Sequence, residues 1–268
     1  MRKHKLNRDF SWQQPEHPPR LLDAGQCRAY REVGGFVLPE VFTQAEITAL
    51  LAELDPLAEA ANEGLQDLPA DLPSIGHHNQ IVFRAHVVTD NTHGAMARHF
   101  ATHPTLAALC EDLIDARVRL YWDQLVYKYP GMQDHFPWHQ DNGYTFVEPQ
   151  QYLTCWVALT DATLDNGCPW IAPGQHLQGT VAHRWTERGF CCFEQDPDDA
   201  LPMPARAGSV VVFSSLTPHR TGANLTEAVR KSYILQYAPD GASVIDREGV
   251  SSPANDPQRQ FMVVPAHA

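Results

Sequence analysis

Apolar positions along the chain change their period near residue 117. Before it they recur at helical spacing. Ile47, Leu50, Leu51, Leu54 and Leu57 form one such series, and Leu106, Leu109, Leu113 and Ile114 form another, beginning near Pro104. Thr43 and Glu46 stand three apart in the pattern of a capping box, so the first helix is expected to follow Thr43, with Pro56 near its end. Gly35-Phe36-Val37-Leu38 ahead of it has the character of a short strand. The acidic stretch 58–78, broken by Pro69 and Pro73, is expected to be an irregular loop or lid. Beyond residue 117 the pattern is that of strands: Arg117 to Trp122 alternates, Gln124 to Tyr129 continues it, and Tyr152–Leu159, Ser209–Phe213 and Lys231–Tyr237 are further runs. Helices first and strands later predict an α+β chain, mainly β, around an antiparallel core. The spacing of the late strands fits a jelly roll of two facing sheets.

Composition narrows this picture. The 268 residues fit one large domain, and 43% apolar with 19% charged residues allow a sizeable core. The 21 prolines and 16 glycines suit short strands joined by turns. Residues 1–20, basic, polar and rich in proline, are read as a flexible arm and residues 21–268 as a single domain. The arm lacks the apolar centre of a signal peptide, and no apolar run reaches the roughly 18 residues of a membrane span. A net charge of −12 argues against nucleic acid and against a polybasic membrane anchor. Cys27, Cys110, Cys155, Cys168, Cys191 and Cys192 contain no Cys-x-x-Cys pair and read as reduced thiols of a cytoplasmic protein. The sequon Asn224-Leu225-Thr226 is read as chance.

The chemistry concentrates at Trp138-His139-Gln140-Asp141. Residues two apart in an extended segment face the same side, so His139 and Asp141 could reach one metal ion. Roughly two His-x-acid pairs are expected by chance in such a chain, which contains this one. His219, just after the strand at 209–213, supplies a second imidazole. Two histidines and a carboxylate leave coordination positions open and suit non-haem iron(II). Arg230, eleven residues past His219, could bind a distal carboxylate through paired hydrogen bonds, and Thr221 could add a hydroxyl donor. His176 reads as a structural residue near a turn, and His99, His135 and His183 as surface residues. His77 and His78 fall in the expected lid.

In these motifs the chain resembles the phytanoyl-CoA dioxygenase family of iron(II)/2-oxoglutarate-dependent oxygenases. The resemblance extends over Tyr30–Leu38, Trp138–Tyr144, Leu153–Leu159, Asp165–Cys168 and Ile171–His176, where Gln175 replaces the serine of a Pro-Gly-Ser-His element. It implies a double-stranded β-helix, a distorted cupin-like jelly roll with flanking helices. It implies iron(II) on His139, Asp141 and His219, with 2-oxoglutarate and O2 as co-substrates. Arg230 and Thr221 would hold the C5 carboxylate of 2-oxoglutarate, and Trp156 and Gln124 would line the same pocket. Related halogenases carry a small residue at the position of Asp141, so a carboxylate there points to hydroxylation or another oxygenase outcome, such as desaturation or epoxidation, and the resemblance implies a small organic substrate. The alternatives are a metal- or 2-oxoglutarate-binding jelly roll without turnover, an iron oxygenase independent of 2-oxoglutarate, and a zinc hydrolase. The last gives no reason for Arg230 and lacks a His-Glu-x-x-His helix.

Overall fold

The computed structural model describes residues 2–66, 82–89, 94–131, 135–187 and 189–264. Helices α1 (Ala24–Glu32), α2 (Gln44–Gln66), α3 (Ala95–Ala101) and α4 (Pro104–Ile114) fill the first part, with strands β1 (Gly35–Leu38) and β2 (Val82–His86) between them. The capping box ahead of α2 forms: the Glu46 amide donates to Thr43 Oγ1 at 3.2 Å, and the Thr43 amide donates to Glu46 Oε2 at 2.8 Å. Helix α2 then runs through Pro56 to Gln66, so the loop expected at 58–78 is helical over 58–66. Pro56 is not the terminator it resembles, because the residues that follow it are rich in Ala, Glu and Leu and favour the helix strongly. Residues 67–78, with His77 and His78, lie outside the described residues.

The strands that follow are β3 (Val118–Lys128), β4 (Phe136–His139), β5 (Phe146–Glu148), β6 (Leu153–Ala158), β7 (Pro169–Ile171), β8 (Arg184–Thr186), β9 (Gly189–Cys191), β10 (Leu201–Pro202), β11 (Val210–Ser214), β12 (His219–Thr221), β13 (Arg230–Pro239), β14 (Ser243–Ile245), β15 (Ser251–Pro253) and β16 (Met262–Val264). The major sheet has the order β1-β11-β6-β13-β3-β16, with β2 also on β3; the minor sheet is β10-β7-β12-β4. The described pairings in both sheets are antiparallel.

Alternation along the long strands divides the core in two. Leu125, Tyr127, Cys155, Val157, Tyr233 and Leu235 face the helices and pack with Ile47, Leu50, Leu54, Leu106 and Leu109. Fully burying a leucine such as Leu50 contributes about 1.5–3 kcal/mol. The residues between these positions, Val126, Trp156, Ala158, Val211, Phe213 and Ile234, turn inward and meet Cys168 and Ile171 beneath the minor sheet. The result is a double-stranded β-helix flanked on one side by helices. Among the described residues no helix is long and apolar enough to cross a membrane.

The segment before α1 lies along this body. Asn7 is buried and its Nδ2 donates to the carbonyls of Gln178 and Thr180. Asp112 of α4 accepts the amides of Arg20, Leu21 and Leu22 at 2.8–2.9 Å. Trp12 packs edge-on against His176, with 4.6 Å between the rings. His176 is fully buried; its Nε2 donates to the Arg31 carbonyl at 3.1 Å, and its Nδ1 has no hydrogen-bond partner among the described residues. The ring seats on Gly34, whose φ is +98° and where a Cβ would come within 2.7 Å of Nδ1.

Burial holds the His176 imidazole neutral down to a pKa of about 4, against 6.5 for the unconstrained side chain. Between these values the unfolded chain binds the extra proton, so stability falls as the pH drops from 6.5 towards 4. We expect His176→Gln to remove up to about 3 kcal/mol of that pH dependence, as measured by urea unfolding at pH 7 and pH 4.5. An unchanged slope would show that this ring takes up its proton as readily folded as unfolded.

Candidate metal centre and buried cationic pocket

His139 ends β4 and His219 opens β12. The two residues face each other in the antiparallel ladder, with ring centroids 4.1 Å apart. Each imidazole is fixed in the same manner: Nδ1 of His139 donates to the Pro137 carbonyl at 2.8 Å, and Nδ1 of His219 to the Thr217 carbonyl at 3.0 Å. With the proton on Nδ1, the Nε2 lone pair of each ring is free and turned inward. Burial, reinforced by the neighbouring His219, keeps the pKa of His139 well below the usual value, so the ring stays neutral and able to bind a metal.

Asp141 opens a short 3-10 turn (Asp141–Gly143) directly after β4. Its Oδ1 lies 4.0 Å from Nε2 of His139 and 3.7 Å from Nε2 of His219. The three ligand atoms lie within 4.8 Å of one another. Oδ2 accepts a 2.6 Å hydrogen bond from Thr154 Oγ1 on β6, which directs one carboxylate oxygen at the triad and holds the other away. Gln140 between the two ligands points oppositely. Its Nε2 donates to the carbonyls of Gly179 and Leu216, and its Oε1 accepts the Val181 amide.

The other predicted residues lie on the inner face of the two sheets. Arg230 is 1% exposed, at the start of β13. Its Nη1 donates to Ser232 Oγ at 2.7 Å, and its guanidinium stands 5.2 Å from the centre of the Trp156 ring. Its Nε has no hydrogen-bond partner, and Arg230 forms no ion pair with a carboxylate among the described residues. Desolvation lowers its pKa to about 10, which leaves it charged at neutral pH. Thr221, on β12, accepts a 3.0 Å hydrogen bond from Lys128 Nζ, so its own hydroxyl proton is available to an acceptor. Trp156 and Gln124 flank Ile234 in one row across the major sheet. Trp156 contacts Arg230; the Gln124 side chain makes no hydrogen bond among the described residues.

Four contributors to this site are absent from the sequence-based set. Lys128, 2% exposed, is the register partner of Arg230 and also donates to the Gly222 carbonyl. Desolvation, aided by Arg230 and Arg84, lowers its pKa to about 6. Its inward direction could have been read by counting 124, 126, 128 along one strand face. Thr154 sits two residues before Trp156 on the same face of β6. Arg84 of β2 lies over the Phe136 ring at 4.6 Å. His183, expected on the surface, is half-buried: its Nε2 accepts the Gln140 amide at 2.9 Å and its Nδ1 donates to Val181, so the ring packs the backbone between the ligands. Burial lowers its pKa to about 4.

A jelly roll carrying an internal triad of two imidazoles and a carboxylate is a metal-binding double-stranded β-helix. The family model described as Phytanoyl-CoA dioxygenase (PhyH) matches residues 30–232, and the chain belongs to that family. It is 28% identical over 143 residues to a phytanoyl-CoA dioxygenase of Arabidopsis thaliana, covering 52% of this chain and 50% of the relative. It is 32% identical over 143 residues to phytanoyl-CoA dioxygenase domain-containing protein 1 of Danio rerio, covering 49% of each. The chain thus spans about half the length of these curated relatives. A methylphosphonate hydroxylase of Gimesia maris is similar over more of its length: 27% identity over 224 residues, 81% of this chain and 80% of the relative. Among solved structures, the α-ketoglutarate-dependent carbocyclase SnoK of nogalamycin biosynthesis has a TM-score of 0.67 at 24% identity, covering 85% of this chain and 89% of that one. The epimerase SnoN, solved with Fe3+, α-ketoglutarate and a nogalamycin compound, has a TM-score of 0.66 at 23% identity, covering 91% and 95%. These two share the fold.

Thr154→Val should weaken binding of cobalt(II) or iron(II) about 10- to 100-fold, because the carboxylate of Asp141 is then free to rotate. Thr154→Ser should restore it. Anaerobic calorimetric titration measures both, and equal affinity of the valine variant would show that this hydrogen bond does not orient the ligand.

Proposed function

We propose that this protein is a non-haem iron(II)- and 2-oxoglutarate-dependent oxygenase that hydroxylates a C–H bond of a small organic metabolite. The observation that carries the reading is the pairing, along one face of β6, of the metal triad with a guanidinium that has no carboxylate partner among the described residues. Thr154 touches Asp141, and two residues on, about 7 Å along the strand, Trp156 touches Arg230. The donor set suits iron(II): neutral imidazoles and one carboxylate on one side, the rest of the coordination sphere open. The orphaned Nε of Arg230 and the free hydroxyl proton of Thr221 suit a carboxylate at the opposite end.

The chemistry that iron(II) and 2-oxoglutarate supply when bound is oxidative decarboxylation of that acid by O2, with succinate and CO2 released and one oxygen atom delivered to the substrate. The protein's residues provide placement. His139, Asp141 and His219 hold the metal on one side. Arg230, with Thr221, would grip the C5 carboxylate; Trp156 and the row containing Gln124 would wall the co-substrate. Asp141 fills the position that a halide would need, which favours hydroxylation or another oxygenase outcome over halogenation. The six unpaired cysteines fit a reducing compartment, and we assign the protein to the cytoplasm.

Iron(II) and then 2-oxoglutarate added without oxygen should give the weak visible charge-transfer band of the chelate. His139→Ala should abolish it. Arg230→Met should keep metal binding but raise the 2-oxoglutarate concentration for half-saturation about 100-fold, the loss of roughly 3 kcal/mol of charge-assisted hydrogen bonding. Metal binding without any band in the unaltered protein would remove 2-oxoglutarate from the reading.

A further inference from the structure

We infer that residues 2–7 belong to the support of the metal triad. They brace the extended segment 179–183 along its outer edge, and that segment holds the loop of His139 and Asp141 along its inner edge. Asn7 is the positioning residue of this arrangement: it bonds to none of the three ligands and acts through Gln140 and Asn142. The inference rests on the metal assignment above and goes beyond it in tying the triad to an element remote in sequence.

The inner edge comes first. Gln140 and Asn142 are the two neighbours of Asp141, and both are tied to 179–183. The Gln140 side chain donates to the Gly179 carbonyl at 3.0 Å and accepts the Val181 amide at 2.7 Å. The Gln140 amide donates to Nε2 of His183 at 2.9 Å. Asn142 Nδ2 donates to Thr180 Oγ1 at 2.6 Å. The His183 ring lies flush against the ligand loop, since a Cβ on Gly143 would fall 2.1 Å from it.

The outer edge belongs to the segment ahead of α1. Lys3 pairs with Val181 in an isolated antiparallel bridge. The His4 amide donates to the Thr180 carbonyl at 3.0 Å, and the Ala182 amide donates to the Arg2 carbonyl at 2.8 Å. Asn7, 4% exposed, adds two bonds from Nδ2, to the carbonyls of Gln178 at 2.9 Å and Thr180 at 2.8 Å. Gly179 leaves room for it: its φ is +73°, and a Cβ there would come within 2.7 Å of Asn7 Nδ2. The His4 ring stacks on Phe146 of β5, with 5.0 Å between centroids.

The two edges are linked by backbone geometry. Val181 turns both its backbone groups inward, its amide to Gln140 and its carbonyl to Nδ1 of His183. Thr180 and Ala182 turn theirs outward, as alternation in an extended segment requires. Among the described residues, 179–183 belongs to no helix and to none of the sheets. Its outer edge therefore rests on residues 2–7 and on Gln150, whose Oε1 accepts the Thr180 amide at 3.0 Å. Water can replace the bonds from residues 2–7 if they lift away, so the fold survives their loss. The segment is then free to shift and to carry Gln140 with it. Groups behind a ligand set its orientation, and metal affinity registers the shift.

The test titrates cobalt(II) into the full chain and reads calorimetric heat and the visible spectrum of the bound ion. Asn7→Ala removes the two bonds to 178 and 180, and His4→Pro independently removes the amide that serves Thr180. Gln151→Ala is the control. It frees Gln13, whose amide and carbonyl both bond to Gln151, and leaves 178–183 untouched. Asn7→Ala and His4→Pro should each weaken cobalt(II) about 5- to 10-fold, and Gln151→Ala should stay within about twofold. In metal-free Asn7→Ala, amide hydrogen exchange should quicken at Gln140 and Val181 while β6 and β13 keep their protection. The proposal fails if both arm variants bind cobalt(II) as the unaltered chain does. It fails also if Gln151→Ala weakens binding equally, or if β6 and β13 lose protection together with Gln140, because the effect is then general loosening. An unaltered chain that binds no cobalt(II) would sink the metal assignment itself, and this inference with it.

Discussion

The constraint that organises this molecule is a guanidinium sealed between two sheets with no acid to meet it among the described residues. Removing such a charge from water costs several kcal/mol unless hydrogen bonds replace the lost solvent. Ser232 supplies one hydrogen bond and Trp156 a π face, and Nε is left over. Lys128, the register partner of Arg230, is in a similar position and responds differently: it favours release of its proton, since an amine can do so near neutral pH and a guanidinium cannot. The closed end of the pocket therefore keeps one fixed cation and one adaptable donor. The cost is borne by the rest of the fold. β13 is paired along both edges, with β3 and with β6, and the opposite face of the same strands carries the apolar core against the helices. Arg230 is positioned by its own pairing with Lys128 of β3 and by a strand that is paired on both edges from Ser232 onward.

The open end is built on a different plan. The ligand histidines sit on three- and four-residue strands, whose own ladders are too short to fix a side chain. Orientation comes instead from local bonds: each imidazole donates to the carbonyl two residues earlier, and His183 repeats the device to cap the Gln140 amide. Gln140 draws two backbone segments, 179–181 and that of Leu216, together from behind. β6 connects the two ends, since its inward face carries Thr154 on Asp141 and Trp156 on Arg230. The separation of the triad from the guanidinium is thereby set by the pleat of a single strand.

Much of this was legible from residue order. The triad and Arg230 stand out by the spacing of His139 and Asp141, by His219 after a strand and by the offset of Arg230 from it, and β3 announces itself by alternation while β6, β11 and β13 show as strand-like runs. What escaped has physical reasons. Strands of two to four residues, such as β7, β10 and β12, contain too few positions to show a period. α2 outlasted Pro56 because propensity summed over the following turns outweighs one missing amide. Thr154, an ordinary threonine in a strand, becomes a positioning group only when Asp141 is brought beside it from thirteen residues away. His183 resembles any surface histidine until Gly143, where a Cβ would collide with its ring, makes room for it.

One irregularity couples a triad histidine to the aromatic ring beside it. His219 pairs with His139 and Thr221 pairs with Phe136, so two residues of β12 span three of β4. In a regular strand Phe136 and His139, three apart, would face opposite sides. The extra residue forms a bulge, and both rings come to the inner face, in edge-on contact. Phe136 thereby becomes a surface on which Arg84 can lie, beside a metal ligand, while Trp138 is left outside to donate to Asp196. A single inserted position thus fixes the imidazole and the aromatic wall together. Neither can be re-aimed without the other, which ties the aim of a triad imidazole to the shape of the aromatic surface beside it.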